Sequence, residues 1–376
     1  MRNKISSLGL QLHIHTNINY IISLVVVAFF ASILSGCASG PAEQGYLYYP
    51  SLPNPPRIQH LHTFSNENDV KGALGGFGRF ILGGSENDSS ISKPYGLAVH
   101  EGKIYVVDTD TGGYAIFDLI EEDFNFIIGS GGGALVKPIN IEIDEDGTKY
   151  ITDTKRMQIV VFDQDDNYLR SFGVEGQFKP SDVALDRDRL YVADLLDSKI
   201  HVLDKSSGET LFTFPPKDKS SPAHLAHPTN ITLHDGYIYV ADSTQAQVNK
   251  YTTSGEYVTT IGQMGTNIGQ FARPKGVAID NVGNIYVVDA AFENVQIFSS
   301  DGELLLFFGE SGYERRNINL PTTVVIDYDN NAYFQQYVAP DFKIEYVILV
   351  ASQYGKGKVN AFGFGKKEGM DYSLTR

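Results

Sequence analysis

Residues 274–309 read PKGVAIDNVGNIYVVDAAFENVQIFSSDGELLLFFG. The stretch contains four short apolar segments, at 276–280, 284–289, 294–298 and 304–309, with turns between them that are rich in Asp, Asn, Ser and Gly. Such turns favour hairpins, and they are too short for a helix to cross between parallel strands. The stretch therefore predicts a four-stranded antiparallel sheet.

The proline that opens this stretch recurs through the chain. Six prolines follow one another at intervals of 44, 42, 48, 46 and 47 residues. They are Pro94, Pro138, Pro180, Pro228, Pro274 and Pro321. Five of them are followed, 14 or 15 residues later, by an aspartate that ends a tyrosine-centred strand: Asp108, Asp153, Asp194, Asp242 and Asp289. A period near 45 predicts one four-stranded blade for each repeat.

Six such blades predict an all-β fold, a six-bladed β-propeller of four-stranded antiparallel blades over residues 57–350. Blades packed face to face around an axis bury the apolar surfaces that one sheet alone would expose. We expect the strand at 57–64 to close the ring as the outer strand of the sixth blade, with 358–365 as its competitor. In the sixth repeat, Asn331–Gln336 stands where the others have their second strand. Residues 351–376 are expected to form a C-terminal tail.

The repeats resemble those of the NHL-repeat β-propellers. Repeats of that family open with Pro-x-Gly-Val-Ala, continue through Ile-Tyr-Val-Ala-Asp and end in an Ile-x-Val-Phe strand. The resemblance covers residues 57–350, and the Pro-rich leader at 48–58 looks like the start of a bacterial lipoprotein subgroup of the family. The resemblance implies the propeller fold. It does not imply one function, because propellers include both binding proteins and enzymes.

The N-terminal segment 1–36 looks like a lipoprotein signal peptide. Basic residues near its start precede an apolar run at 18–34, which ends in Leu34-Ser35-Gly36-Cys37. Cys37 is the only cysteine of the chain, and we predict that it carries the lipid. Residues 37–56 would then be a Pro/Gly-rich spacer between the lipid and the propeller. An uncleaved membrane anchor or an ordinary signal peptide is the alternative.

These features predict an exported protein, held at the bacterial cell envelope by its N-terminal lipid. Ala38 after the cysteine resembles the lipoproteins that a Gram-negative host passes to its outer membrane. The net charge of −15 makes nucleic acid a poor partner. We expect a monomer, since a closed ring leaves no sheet edge to force association.

Charged residues are expected to form two rings on one face of the propeller. The residue before a repeat proline is basic or potentially basic in five repeats: Lys93, Lys137, Lys179, His227 and Arg273. The five repeat aspartates lie on the same face, because the first two strands of a blade are antiparallel. The sixth repeat has Leu320 and Gln336 at these positions, which suggests that the basic and acidic residues pair. We hypothesise that this face binds a ligand or partner; alternatively, the aspartates only cap the loops that follow them.

Catalytic motifs are absent from the sequence. It contains no Gly-x-Ser-x-Gly elbow and no Cys-x-x-Cys-His haem motif. His224 and His227 share the long loop 215–227 without a third ligand, so we predict neither a metal site nor a cofactor. The predicted function is a non-enzymatic binding or scaffold module for an envelope protein or glycan. The alternatives are a metal-dependent hydrolase or lyase (lactonase-like or amidating-lyase-like) acting at the central channel, and a structural spacer in a larger envelope complex.

Overall fold

The computed structural model describes residues 45–71, 90–174 and 176–373. The predicted signal peptide and Cys37 lie outside these ranges. The residues from Leu47 onward form one compact unit. Among the described residues, no helix has the length and apolar character needed to cross a membrane.

Five blades repeat one arrangement, in which each consists of four consecutive antiparallel strands. The first is formed by β3 (Pro94–His100), β4 (Lys103–Asp108), β5 (Gly113–Asp118) and β6 (Asp123–Ile127). The second is formed by β7 (Pro138–Ile143), β8 (Lys149–Asp153), β9 (Gln158–Phe162) and β10 (Tyr168–Phe172). The third is formed by β11 (Pro180–Asp186), β12 (Arg189–Asp194), β13 (Lys199–Asp204) and β14 (Thr210–Phe214).

Blades four and five continue the pattern. The fourth is formed by β15 (Pro228–His234), β16 (Tyr237–Asp242), β17 (Gln247–Thr252) and β18 (Tyr257–Ile261). The fifth is formed by β19 (Pro274–Ile279), β20 (Ile285–Asp289), β21 (Asn294–Phe298) and β22 (Leu304–Phe308). Each of the five blades begins its inner strand at a repeat proline, and that proline pairs with the repeat aspartate of the next strand.

The sixth blade combines the two ends of the described chain. Its strands, from the channel outward, are β23 (Pro321–Asp327), β24 (Phe342–Ser352), β25 (Val359–Lys367), β2 (Ile58–Phe64) and the short β1 (Tyr48–Tyr49). The prediction that an N-terminal strand takes the fourth position is confirmed, because β2 pairs with β25 from Ile58↔Phe364 to Phe64↔Val359. The competing C-terminal segment provides the third strand instead.

Two expectations for the sixth blade are corrected. Residues Asn331–Phe334 form a short helix, α2, followed by a 3-10 turn at Gln335–Tyr337, so they are not the second strand. The connection between β23 and β24 is long enough to hold this helix, which moves the later strands toward the C-terminus. The blade therefore extends beyond residue 350, where we expected a tail, and ends at Lys367. The other short helix, α1, spans Asn68–Lys71.

The core consists of six apolar clusters, one at each interface between neighbouring blades. The strands of the blades alternate their side chains between the two interfaces, and each interface contains aliphatic residues together with a few large aromatic ones. Fully buried examples are Tyr114, Tyr191, Tyr251 and Tyr286. Each large side chain that is fully buried stabilises the fold by roughly 1.5 to 3 kcal/mol. The predicted ring of apolar interfaces is thus confirmed.

The six inner strands surround a central channel. Each of them contacts the inner strand of the next blade, and β23 contacts β3 to complete the ring. The repeat prolines all lie at one end of these strands. We call this end of the propeller the mouth face; it carries the loops before the prolines and the loops after the second strands.

Candidate functional site

The repeat aspartates hold the loops of the mouth face in place. The carboxylate of Asp153 accepts hydrogen bonds from the backbone N–H groups of Val136 (2.6 Å) and Lys137 (3.0 Å) before the proline. It also accepts bonds from those of Lys155 (3.0 Å) and Arg156 (2.9 Å) in the next turn. Equivalent contacts are made by Asp108, Asp194, Asp242 and Asp289. All five are 0% exposed, so their carboxylates lie beneath the mouth face.

The suggested pairing of basic and acidic side chains is corrected. Each aspartate binds the backbone N–H of the basic residue, and none of the ion pairs within the described ranges joins the two rings. In the sixth blade Ser352, not Gln336, pairs with Pro321. The Ser352 hydroxyl accepts a bond from the N–H of Asn319 (3.3 Å), while the N–H of Leu320 donates to Glu293 (3.0 Å). In the sixth blade, Ser352 and Glu293 thus replace the aspartate as acceptors for the backbone N–H groups before the proline.

The basic residues remain at the mouth face, as predicted from their position before the prolines. Lys137, Lys179 and Arg273 are exposed, whereas Lys93 and His227 are half-buried. No carboxylate among the described residues forms an ion pair with any of these five side chains.

The channel contains a cavity of about 250 Å³. Most of its wall is aliphatic, with contributions from every blade. Six polar side chains line it among the aliphatic ones: Asn140, Glu142, Asp182, Asn230, Thr232 and Thr323. The cavity therefore has room for several water molecules and presents two carboxyl groups.

Asp182 connects three blades at the channel wall. Its Oδ1 accepts bonds from Asn140 Nδ2 of blade two (2.5 Å) and from the N–H of Val183 (2.8 Å). Its Oδ2 accepts bonds from Asn230 Nδ2 (2.6 Å) and from the N–H of Ile231 (2.7 Å), both of blade four. Four donors thus converge on one buried carboxylate.

The residue two positions after each repeat proline governs the contact with the next blade. Asn230 continues the network, because its Oδ1 accepts a bond from the N–H of Val277 in blade five (2.7 Å). Blades one and five have glycine here, and the next backbone approaches closely: a Cβ on Gly96 would lie 2.5 Å from the Cα of Asn140. A Cβ on Gly276 would lie 2.8 Å from the carbonyl oxygen of Thr322. Side-chain hydrogen bonds thus link blades two, three, four and five, whereas blades one and five each approach the next blade through the bare backbone of a glycine.

The two carboxyl groups of the channel bind protons unusually strongly. Burial raises the pKa of Asp182 to about 7, although hydrogen bonds from Ile231, Val183 and Asn140 act in the opposite direction. Burial, with the nearby carboxylates of Asp182 and Asp144, raises the pKa of Glu142 to about 8. Both groups therefore change charge near neutral pH.

Glu142→Gln is expected to change how stability depends on pH. Because the pKa of Glu142 is raised from 4.5 to about 8, the folded state holds more protons than the unfolded state between these values, and stability falls as pH rises through this window. Glutamine removes this titration. We expect equal stability of the two proteins near pH 4.5 and an advantage for the variant at pH 8.5 of about 4 kcal/mol. Urea unfolding at both pH values measures the free energy of unfolding of each protein. If this free energy changed with pH equally in the wild type and the variant, the prediction would be wrong.

Tyr95 and Lys275 extend over the channel from opposite sides of blade six. Lys275 Nζ donates a hydrogen bond to the Tyr95 hydroxyl (3.3 Å), although the two residues belong to blades five and one. Burial, with the positive charge of Arg273, lowers the pKa of Lys275 to about 8. Burial raises the pKa of Tyr95 to about 12. The pair lies at the mouth end of the channel, and its Lys275 ammonium is one of the positive charges there.

Sequence reasoning did not find Asp182, Glu142, Tyr95 or Lys275. The signal was present in the alignment of the repeats on their prolines. The position two after the proline is Gly, Asn, Asp, Asn, Gly and Thr in the six repeats, which is unusually polar for a buried inner strand. The position directly after the proline carries both Tyr95 and Lys275.

Within residues 45–71, 90–174 and 176–373, no three or more His, Cys, Asp or Glu side chains are placed together so that they could hold a metal ion. His224 and His227, the histidines considered from the sequence, are both half-buried.

The blades and their channel define a six-bladed β-propeller of four-stranded antiparallel blades. Residues 220–369 match a family described as a six-bladed beta-propeller. The chain is 28% identical over 221 residues to the human NHL repeat-containing protein 3, covering 54% of this chain and 61% of that protein. It is 26% identical over 255 residues to the chloroplastic Protein SUPPRESSOR OF QUENCHING 1 of Arabidopsis thaliana, covering 53% and 24%. The chain thus spans less than two thirds of either relative; the matches support NHL-type repeats.

Solved structures share the fold. A protein of unknown function from Bacteroides thetaiotaomicron has a TM-score of 0.55 at 17% identity, with 73% of this chain and 70% of that chain covered. A luciferin-regenerating enzyme has a TM-score of 0.53 at 14% identity, with 74% and 93% covered. A streptogramin B lyase has a TM-score of 0.51 at 13% identity, with 73% and 94% covered. At these identities the likeness concerns the fold alone.

Proposed function

We propose that the protein is a lipid-anchored binding propeller of the bacterial cell envelope, whose mouth face binds or scaffolds a protein or glycan partner. The observation that carries the proposal is the set of exposed basic residues at the mouth face, Lys137, Lys179 and Arg273, without ion-pair partners in the described chain. Like charges on one face repel one another and do not stabilise a fold. On a chain with a net charge of −15, they provide a local field that attracts an acidic partner.

The lipid anchor is the part of the proposal that rests on Cys37. Cys37→Ser removes the only thiol of the chain, and we expect the membrane-associated fraction of the protein to fall to background. Cell fractionation followed by mass analysis of the N-terminal peptide measures this. If the variant remained in the membrane, the uncleaved-anchor alternative would be correct instead.

Reversing charge at the mouth face tests the binding role. The double variant Lys137→Glu with Lys179→Glu is expected to retain about tenfold less partner, because an attractive field becomes a repulsive one. Envelope extract is passed over immobilised protein. The retained material is quantified as peptides by mass spectrometry and as sugars by monosaccharide analysis.

The matched control makes the same charge change at the opposite end of the propeller. Lys343 and Lys366 are exposed cross-strand neighbours of the sixth blade, and Lys343→Glu with Lys366→Glu is expected to leave retention unchanged. Equal retention by both double variants and the wild type would refute binding at the mouth face.

A metal-dependent hydrolase or lyase that acts in the channel is the second candidate. It is favoured by Glu142, which lines the cavity and has a pKa of about 8, a value suited to a general acid or base near neutral pH. Metal content of the purified protein, followed by assays on lactones and esters, decides between the candidates.

A further inference from the structure

Basic residues from three neighbouring blades lie at the mouth of the channel. Lys179 precedes the inner strand of blade three, His227 that of blade four, and Arg273 and Lys275 lie at that of blade five. Burial and the charges of Lys275, Lys179 and Arg273 lower the pKa of His227, while Asp242 acts in the opposite direction. Because its pKa is lowered, His227 favours the neutral form near neutral pH, and Lys179, Arg273 and Lys275 carry the positive charge of the mouth. Arg273 and Lys275 flank Pro274, where the inner strand of blade five begins, and the Lys275 ammonium lies 3.3 Å from the Tyr95 hydroxyl of blade one.

No carboxylate in the described part of the chain neutralises this group. The ion pairs of the described residues involve none of the three cations Lys179, Arg273 and Lys275. Asp242 is buried and its oxygens accept backbone N–H groups, including those of Ala226 (2.5 Å) and His227 (3.1 Å). Asp182, whose negative charge contributes to the raised pKa of Tyr95, already accepts four hydrogen bonds in the channel wall. The carboxylates of Asp242 and Asp182 therefore accept hydrogen bonds that hold the fold together, and neither forms an ion pair with the cations of the mouth.

The donors of the mouth are largely unused. The Lys275 ammonium has three N–H groups, and its one hydrogen bond within the described residues goes to the Tyr95 hydroxyl. That hydroxyl accepts the bond, so its own proton is free to be donated. The guanidinium of Arg273 is exposed and makes no hydrogen bond to another described residue. Holding such cations together, one of them half-buried, costs free energy unless an anion compensates.

We propose that the channel mouth is a binding site for an anionic group, a carboxylate or a phosphate, held by the Lys275 ammonium, the Arg273 guanidinium and the Tyr95 hydroxyl. The inference rests on the proposed function, because it names the ligand chemistry of the same face. A guanidinium binds either group through two parallel hydrogen bonds, and an ammonium adds a point charge. Uronic acids carry the first group and phosphorylated glycans carry the second.

Isothermal titration calorimetry with glucuronate and, separately, with inorganic phosphate tests the site. The full chain is used in a non-ionic detergent at pH 7, with chloride keeping the ionic strength constant. We expect saturable one-site binding of at least one anion, with about tenfold weaker binding by Lys275→Met and by Arg273→Gln. The anion that binds more tightly shows whether the site prefers the carboxylate of a uronic acid or the phosphate of a phosphorylated glycan. Arg273→Gln changes an exposed side chain, so it tests the site even if Lys275→Met does not fold.

Two controls separate this site from general charge effects. Lys103→Met removes one positive charge at the opposite end of blade one, next to Asp118, and is expected to bind as the wild type does. Binding of glucuronate should weaken as pH rises through about 8, where Lys275 loses its charge. Lys275→Arg keeps the charge and should bind without this loss.

The outcomes also distinguish this inference from the proposed function. An unsaturable response that is equal in the wild type, Lys275→Met and Lys103→Met overturns the anion site. If partner capture still depends on Lys137 and Lys179 in that case, the proposed function survives. If both measurements are negative, both proposals fail.

Discussion

Asp182→Ala is expected to lower the free energy of unfolding by about 3 to 5 kcal/mol. The lost carboxylate accepts bonds from Asn140, Val183, Asn230 and Ile231, all shorter than 3 Å. Alanine leaves these four donors without their acceptor in a wall where Asp182 is 2% exposed. Because the donors belong to blades two, three and four, the loss loosens two blade interfaces at once.

Urea unfolding followed by circular dichroism measures this loss. Asp188→Ala is the matched control, since Asp188 is exposed in the turn after the same strand and should change stability by less than about 0.5 kcal/mol. Asp182→Asn keeps the shape and one acceptor oxygen, so an intermediate loss is expected. Equal stabilities of Asp182→Ala and Asp188→Ala would show that the network does not hold the blades together.

Gly96→Ala is expected to cost about 3 kcal/mol or more, or to prevent folding. The added Cβ would lie 2.2 Å from Asn140 Oδ1, 2.5 Å from Asn140 Cα and 2.8 Å from the carbonyl oxygen of Ile139. Two of these atoms belong to the backbone of blade two and cannot move without shifting its inner strand. The substitution therefore forces blades one and two apart.

Thermal unfolding compares this variant with Gly45→Ala, in which the new Cβ has no atom within 4 Å. Gly45→Ala should unfold at the temperature of the wild type, and Gly276→Ala, which meets the carbonyl oxygen of Thr322 and Cα of Thr323, should resemble Gly96→Ala. A Gly96→Ala protein as stable as Gly45→Ala would mean that the inner strands have room to separate.

The blades were predictable because their signals are local. Each repeat proline fixes the start of an inner strand, and each aspartate caps the loop that follows the next strand, so spacing alone located five blades. The sixth was predicted less well because its second strand was sought at a fixed distance from Pro321. The inserted helix at Asn331–Phe334 broke that spacing. No local pattern indicates that a strand has been displaced by an insertion.

The candidate site was predictable only in part. Lys179 and Arg273 were found because they occupy one position of the repeat, and the mouth face follows from the antiparallel order of the strands. Asp182 and Glu142 were missed because each is a single polar residue in an apolar strand. Their role depends on contacts with the inner strands of other blades, which the sequence does not show. The contact between Lys275 and Tyr95 joins blades that are not neighbours, and sequence spacing does not report distances across a channel.

The pairing of β2 with β25 sets the order in which the molecule can be completed. Thr63 and Asn360, which are hydrogen-bonded through their side chains, stand 297 residues apart in sequence. The strand synthesised first must therefore wait, with one edge unpaired, until nearly the whole chain has emerged. The entropy of closing so long a loop grows only logarithmically with its length, but contacts of high sequence separation form slowly. Ring closure therefore needs both ends of the described chain and cannot be completed before β25 is available to pair with β2.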